Sequence, residues 1–347
     1  MAGYDFKEIY HQILDEVKNQ NYAKAIEDAC GLVFLAESDN DLKFVMMGKY
    51  LLGICYYYSY MYQKAIDKLS EVLDLSLEFK EEIEGHLKGD FFDKVRYCLA
   101  LAMYQHGDLE GSNIVLNHIL MKGESSPKIA DAVILLGVLY MGMYELTEEL
   151  EYIIIASRIN QVLLEEEILS DGQESMVYNN QAILLIYQEE FDKAQEMLNK
   201  CFMLSRAEEE YASLFNETVR IHIQKDNLSK SKKISKKAEK YLDNCQNPFE
   251  KSYYFYLLGL LKKEDEDYIS ALRMFEKSYC IEERCNHLIG KLRVCKELSL
   301  LNQILEADND LLYKDELDKL NDDIKPIREV IKFDTFWKNI KKRLLSE

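Results

Sequence analysis

A helical hairpin pattern that recurs along the chain is the sequence feature that most constrains its fold. It is clearest in Ser252–Ile281, SYYFYLLGLLKKEDEDYISALRMFEKSYCI. Gly259 interrupts the apolar stripe of a first helix, so a second helix can approach closely. After a charged connection, Ala271, Phe275 and Ser278 follow at spacings of four and three, which places them on one helix face. The stretch therefore predicts two antiparallel helices packed through small residues and aromatic rings.

The pattern returns at intervals of 37 to 47 residues. Leu52–Ala65 is the closest further copy. The small residue of each second helix marks the copies: Ala25, Ala65, Ser112, a position near Glu149, Ala194, Ser231 and Ala271. A Leu-Gly-x-x-Tyr helix followed by a Tyr-x-x-Ala helix resembles the tetratricopeptide repeat. The resemblance implies an all-α, right-handed superhelical solenoid of about seven helical hairpins.

The last part of the chain departs from this pattern. Residues 286–306 lack a Tyr-x-x-Ala partner, and residues 308–323 are polar and acidic. Lys325-Pro326 begins a last predicted helix, which carries Phe336 and Trp337. Because the end of a solenoid needs a cover over its apolar face, we expect this helix to be a cap.

The predicted organisation is a repeat array in residues 1–306, followed by a linker and capping helix in residues 307–347. Two other roles for the last helix stay open. Its Phe336-Trp337 side would suit a membrane or a partner protein, or the helix would dock on a second copy and form a homo-oligomer.

The charge of the chain restricts its partners. The formal net charge is −19 at pH 7. Nucleic acid and anionic lipid both need clustered lysine and arginine on a protein, because these displace their counterions. We therefore expect no direct binding of nucleic acid. The charge favours a cationic or mixed-charge peptide or protein as partner, or none.

Several features predict a cytoplasmic protein. No apolar run reaches 18 residues, which argues against a membrane span. The N-terminus, MAGYDFKEIYHQ, has no basic segment before an apolar one, so it does not resemble a secretory signal. The eight cysteines are scattered without a CxxC pair, and we interpret them as reduced core residues.

Catalytic motifs are missing from the sequence. The six histidines form no HExxH or other closely spaced ligand pair, and there is no GxSxG, phosphate loop or GxGxxG. The runs of glutamate at 165–167 and 208–210 fit solvated helix faces. The sequence therefore predicts a protein that is not an enzyme and that carries no metal or cofactor.

In tetratricopeptide arrays the first helices line a concave groove. The repeat phase assigns the groove residues at three positions before, one after and four after the small position of each first helix, and Tyr253 lies one turn earlier on the same face. These small positions are Gly53, Ala100, Ala182, Val219 and Gly259. The candidates are Asn179, Asn216, Arg220, Tyr50, Tyr57, Tyr97, Tyr104, Tyr253, Tyr256 and Lys263.

The chemistry of these residues suits a peptide. An asparagine both donates and accepts, so Asn179 and Asn216 can bond both groups of an extended backbone. Tyrosines offer rigid amphipathic surface, and Arg220 and Lys263 suit a carboxylate. The alternative is plain helix packing, since the chain has 24 tyrosines and an asparagine can also bridge helices.

One basic segment stands out in the acidic chain. Lys232, Lys233, Lys236 and Lys237 lie close together in a predicted second helix. They form a candidate outer patch for docking an acidic partner, or alternatively a solvated helix face.

Repeats near 40 residues resemble those of the peptide-pheromone receptors of Gram-positive bacteria, the Rap, PlcR and Rgg type. The resemblance is carried by Leu52–Ala65, Tyr178–Ala182 with Phe191–Ala194, and Leu258–Phe275. It implies that Asn179 and Asn216 hold the backbone of a signalling peptide. Those receptors also carry an N-terminal helix-turn-helix or three-helix effector bundle. Here the repeats begin almost at Met1, so DNA binding and phosphatase activity do not carry over.

The sequence therefore predicts a non-enzymatic, regulatory tetratricopeptide module that holds an extended peptide or protein tail in its groove. The alternative is a constitutive scaffold or assembly factor that binds a folded partner through its outer surface.

Overall fold

A computed structural model describes residues 5–83, 87, 89–122, 126–165, 169–205, 208–242, 245, 247–305 and 310–327 of the chain. The regular elements in this part of the chain are all helices. They are α1 (Phe6–Lys18), α2 (Tyr22–Ser38), α3 (Leu42–Tyr58), α4 (Tyr62–Glu78), α5 (Lys80–Ile83), α6 (Gly89–Gln105), α7 (Leu109–Lys122), α8 (Ser126–Thr147), α9 (Leu150–Glu165), α10 (Asp171–Tyr187), α11 (Phe191–Leu204), α12 (Glu208–Gln224), α13 (Leu228–Leu242), α14 (Pro248–Glu264), α15 (Tyr268–Arg284), α16 (Leu288–Ile304) and α17 (Asp310–Asp323).

The residues divide into two compact units. The first unit includes the chain up to Ala132, and the second begins at Val133, within α8. Short polar side chains start several of the helices. Ser170 forms a capping box with Gln173 at the start of α10, and Asn247 caps α14 just before Pro248. These local signals explain why the helix starts were readable in the sequence.

The seven hairpin turns from α1–α2 to α14–α15 each include a residue with left-handed backbone. In the turn between α14 and α15, Glu266 has φ of 59°, and its N–H donates to the carbonyl of Lys263. The equivalent turns place Gln20, Tyr60, Gly107, Glu148, Glu189 and Asp226 at positive φ. Because left-handed backbone is strained for residues with a Cβ, the repeat imposes the same turn even where glycine is absent.

Small residues hold the paired helices together as predicted. A Cβ added to Gly259 of α14 would lie 2.5 Å from a ring carbon of Phe275 on α15, so only glycine fits there. The hydroxyls of Ser252 and Ser278 also bond at 2.9 Å across the same interface. The marker residues of the second helices are all fully buried: Ala25, Ala65, Ser112, Ala194, Ser231 and Ala271. The all-helical repeat fold is confirmed.

One marker was misplaced. Glu149 is exposed and precedes α9, which begins at Leu150. The fourth residue of that helix, Ile153, takes the buried place that Ala271 has in α15. The sequence of this repeat has no small residue there, which is why its phase could not be read.

The repeat pattern also continues further than predicted. Residues 288–304 and 310–323, expected as a departure and a linker, form α16 and α17, which pack on each other. Lys291 of α16 pairs with Glu316 of α17 at 2.8 Å. The chain then returns to α8, where the N–H of Ile327 contacts Met143 Sδ at 3.3 Å. The predicted helix with Phe336 and Trp337 lies outside the described residues.

Helix α8 is the most apolar element. Lys128–Thr147 is long and apolar enough to cross a membrane, but 72% of its most apolar 18-residue stretch is buried. Such burial is typical of a core helix. All eight cysteines are free thiols, and two of them, Cys30 and Cys280, are exposed.

Candidate functional site

The second unit contains a cavity of about 280 Å³ on the side formed by its first helices. Residues of α8, α10, α12, α14 and α16 line it. In the described part of the chain, no residue of a second helix contributes to this lining. The first helices of the second unit therefore line this cavity.

An ion pair spans the cavity. Arg293 of α16 donates from Nε and Nη2 to the same oxygen of Glu145 on α8, at 3.2 and 2.5 Å. The hydroxyl of Tyr187 on α10 donates to the other oxygen of Glu145 at 2.6 Å. Charged donors shorten and strengthen such bonds. Glu145 and Arg293 are 148 residues apart, so this contact joins the first and last helices of the cavity.

Tyrosine rings hold the two arginines of the cavity. The guanidinium carbon of Arg293 lies 5.2 Å from the ring centre of Tyr253 and 5.9 Å from that of Tyr256. These rings stack on each other at 6.0 Å. Arg220 lies 4.4 Å above the ring of Tyr187. Cation–π contact of this kind fixes a guanidinium and shields its flat face from water.

The arginines of the cavity stabilise the ionised form of Glu145. Burial acts to raise the pKa of Glu145, but the charges of Arg293 and Arg220, with hydrogen bonds from Tyr187 and Arg293, bring it below its usual value. Burial raises the pKa of Tyr256 to about 12, with a further contribution from Glu297. At neutral pH the cavity therefore holds an ionised carboxylate and neutral tyrosines.

Arg220 and Lys263 lie in this region, but neither is a free cation. Arg220 lies 3.6 Å from Glu217, one turn earlier in α12, and Lys263 pairs with Glu297 of α16 at 2.7 Å. The prediction that Arg220 and Lys263 suit a ligand carboxylate needs this correction, because each already lies beside a carboxylate of this chain. Tyr253 and Tyr256 line the cavity together with Arg220.

Asn216 is not available to a peptide in this structure. Its side chain is fully buried, and Nδ2 donates to the backbone carbonyl and to Oε2 of Glu250 at 3.1 and 3.0 Å. It therefore bridges α12 and α14, because the neighbouring first helix covers its face. Burial, together with Glu217, raises the pKa of Glu250 to about 7, and hydrogen bonds from Asn216 and Ser213 oppose that rise.

Asn179 has a different environment from Asn216. It is half-buried in α10, and its Oδ1 is buried without a hydrogen-bond partner among the described residues. It does not line the cavity. Its role as a backbone ligand stays a prediction.

The four candidate tyrosines of the first unit are all half-buried. Tyr50 meets the ring of Phe91 edge-on at 5.3 Å, Tyr57 lies 5.7 Å from the ring of Tyr62, and Lys128 lies 4.8 Å above Tyr97. Burial raises the pKa of each of these three tyrosines. These contacts fit packing between neighbouring helices, and the binding role of Tyr50, Tyr57, Tyr97 and Tyr104 stays a prediction.

The lysine patch lies on α13, away from the cavity lining. Lys232 pairs with Asp265 at 2.6 Å. Lys233, Lys236 and Lys237 are exposed and have no ion-pair partner among the described residues. Within the same residues, no group of three or more His, Cys, Asp or Glu is placed to hold a metal ion.

Sequence reasoning missed Glu145 and Arg293. Arg293 follows Tyr253 by 40 residues, which is one repeat, so its groove position was readable if α16 had been counted as a first helix. Glu145 carried no such signal, because the phase of its repeat could not be read from the sequence.

Comparison with solved structures agrees with this architecture. The apo form of the quorum sensor NprR from B. thuringiensis matches with a TM-score of 0.62 and 16% identity, over 91% of this chain and 87% of that one. The chain has a tetratricopeptide-type fold. A tetratricopeptide repeat protein from Parabacteroides merdae ATCC 43184 matches with a TM-score of 0.54 and 15% identity, over 82% of this chain and 98% of that one. No protein-family model and no curated protein matches the chain.

Proposed function

We propose that this tetratricopeptide-type protein is a non-enzymatic, regulatory binding module. In this proposal, the cavity of the second unit holds part of an extended peptide or protein tail. The observation that carries the proposal is the cavity itself, which five first helices line with tyrosines and arginines. Tyrosine and arginine are the side chains most often responsible for binding energy at protein interfaces.

Two further observations support this function. NprR, a structure that the chain resembles, is a quorum sensor. The cavity also offers charge pairs and aromatic faces, without a nucleophile beside a base. A peptide that contributes apolar and acidic groups fits such a lining. With all eight cysteines free, we place this activity in the cytoplasm.

The test is capture from a lysate of the source organism. The full chain is immobilised, and bound peptides and proteins are identified by mass spectrometry. The variant Tyr253→Ala/Tyr256→Ala removes the aromatic wall, and we expect it to lose the bound peptide. Lys233→Glu, on α13, is the matched control and retains it. A peptide that the tyrosine variant also retains would contradict binding in this cavity.

A second candidate function is a scaffold that docks an acidic protein on α13. It is favoured by the three exposed lysines, which have no ion-pair partner within the described ranges, in a chain of net charge −19. In that case Lys233→Glu, Lys236→Glu and Lys237→Glu together abolish capture of a large protein, and the tyrosine variant does not. Loss in both variants would point to misfolding, which circular dichroism would reveal.

A further inference from the structure

We propose that Glu145 is an internal occupant of a carboxylate-binding site, and that a carboxylate of the ligand displaces it from Arg293. This inference rests on the proposed function, since it names the chemical group by which the cavity recognises its ligand. It also assigns to binding a structural consequence, the release of α8 from α16.

The site is built independently of its occupant. Three donors converge on the Glu145 carboxylate: Nε and Nη2 of Arg293 and the hydroxyl of Tyr187. The Arg293 guanidinium is held by the rings of Tyr253 and Tyr256. The Tyr187 ring lies under Arg220. Because none of these contacts involves Glu145, the donors keep their places when it leaves.

The occupant itself is exchangeable. Glu145 lies in the last turn of α8, where the partial negative charge of the helix end disfavours a carboxylate. Its side chain is 21% exposed and that of Arg293 is 29% exposed, so solvent reaches the pair. An exchangeable carboxylate on preformed donors is what a competing ligand requires.

The other cations in or beside the cavity have acidic neighbours of their own. Arg220 has Glu217 on its own helix, and Lys263 has Glu297 on the next first helix. Lys296 contacts the carbonyl of Glu145 at 3.4 Å and Glu148 at 3.5 Å. A single carboxylate replaces Glu145 without changing the charge beside Arg293, whereas a phosphate would add negative charge near these acids. The arrangement therefore favours a carboxylate.

The site is testable without knowing the natural ligand. Glu145→Ala removes the internal carboxylate and leaves space for acetate. We expect sodium acetate to raise the melting temperature of this variant by roughly 2 to 4 °C over the same concentration of sodium chloride. The double variant Glu145→Ala/Arg293→Gln has lost the guanidinium donors, and Glu148→Ala removes a neighbouring acid from the turn that follows α8. Neither should respond specifically to acetate.

Each outcome is decisive. An acetate-specific shift in Glu145→Ala alone supports the proposal. No shift, or an equal shift in the double variant, overturns it. If Glu145→Ala is unfolded at 20 °C, the same salts are compared for recovery of helical circular dichroism. Recovery by acetate and not by chloride then supports the site, and equal recovery overturns it.

Peptide capture separates this proposal from the proposed function. If a carboxylate competes with Glu145, then Glu145→Gln retains roughly fivefold more peptide than the unchanged chain, and Arg293→Gln retains less. Capture that both variants leave unaltered would overturn the competition, although the cavity would remain a peptide site. Acetate rescue without any peptide capture would instead remove the proposed function and leave the carboxylate site.

Discussion

Tyrosines on the first helices of the two units have different neighbours. In the first unit, Tyr50 and Tyr57 contact the rings of Phe91 and Tyr62. In the second unit, tyrosines contact guanidinium groups, and one donates to the half-buried carboxylate of Glu145. The comparison teaches that a groove position fixes where a side chain lies, while its neighbours decide whether it packs or builds a polar cavity.

The largest expected effect comes from removing one charge of the cavity. Arg293→Gln leaves Glu145 without its ion-pair partner, and we expect the free energy of unfolding to fall by about 2 to 3 kcal/mol. The double variant Glu145→Gln/Arg293→Gln should lose less, because no charge remains unpaired. Urea denaturation followed by circular dichroism measures both. A double variant less stable than Arg293→Gln would show that the pair is not the source of the effect.

The next largest effect is expected from Glu250, whose carboxyl group is buried between α12 and α14. The pKa of Glu250 is raised to about 7, from 4.5 in the unfolded chain. A raised pKa means that the protonated form is favoured by folding, so this contribution is present below pH 4.5 and is lost as pH rises through 7. From pH 5 to pH 8, the free energy of unfolding of Glu250→Gln should therefore rise by roughly 2 kcal/mol relative to that of the unchanged chain.

Melting temperatures of both proteins at the two pH values would measure this difference. A stability difference between the two proteins that is the same at pH 5 and pH 8 would contradict the raised pKa of Glu250 in the folded chain.

Removing one tyrosine hydroxyl from each unit compares what the two hydroxyls contribute to stability. Tyr187→Phe loses a hydrogen bond to an ionised carboxylate, which we expect to destabilise the chain by about 1.5 kcal/mol. Tyr97→Phe, in the first unit, keeps the ring that Lys128 contacts and should change stability by less than about 0.5 kcal/mol. Urea midpoints would settle the comparison, and equal losses would contradict it.

The smallest expected effect tests whether equivalent turns of the two units differ in backbone strain. Gln20 and Glu189 have φ of 60° in equivalent turns of the first and second units. Gln20→Gly and Glu189→Gly should each stabilise the chain by about 0.5 to 1 kcal/mol, since glycine adopts this backbone without strain. The control, Gly107→Ala, should destabilise by a similar amount. Opposite responses at the two turns would show that the backbones differ in strain.

The sequence was informative wherever a local pattern determined the structure. The small residues that let helices approach, such as Gly259 against Phe275, were readable because their spacing repeats. The assignment of Asn216 to the groove was wrong because helix periodicity gives a face but not its cover, which here is Glu250 of the next first helix. The pair of Glu145 and Arg293 joins residues in hairpins far apart in sequence, and no local spacing encodes it.

The distribution of cysteines gives the unmodified chain two natural attachment points for probes. Cys30 in the first unit and Cys280 in the second are exposed, whereas burial raises the pKa of Cys98 and Cys285 to about 11 and of Cys55 and Cys295 to about 12. Thiolates react and thiols do not, so a maleimide at neutral pH should select the two exposed sites. Spin labels or a fluorophore pair at these sites would then report the distance between the units, with and without a ligand, in a protein without substitutions.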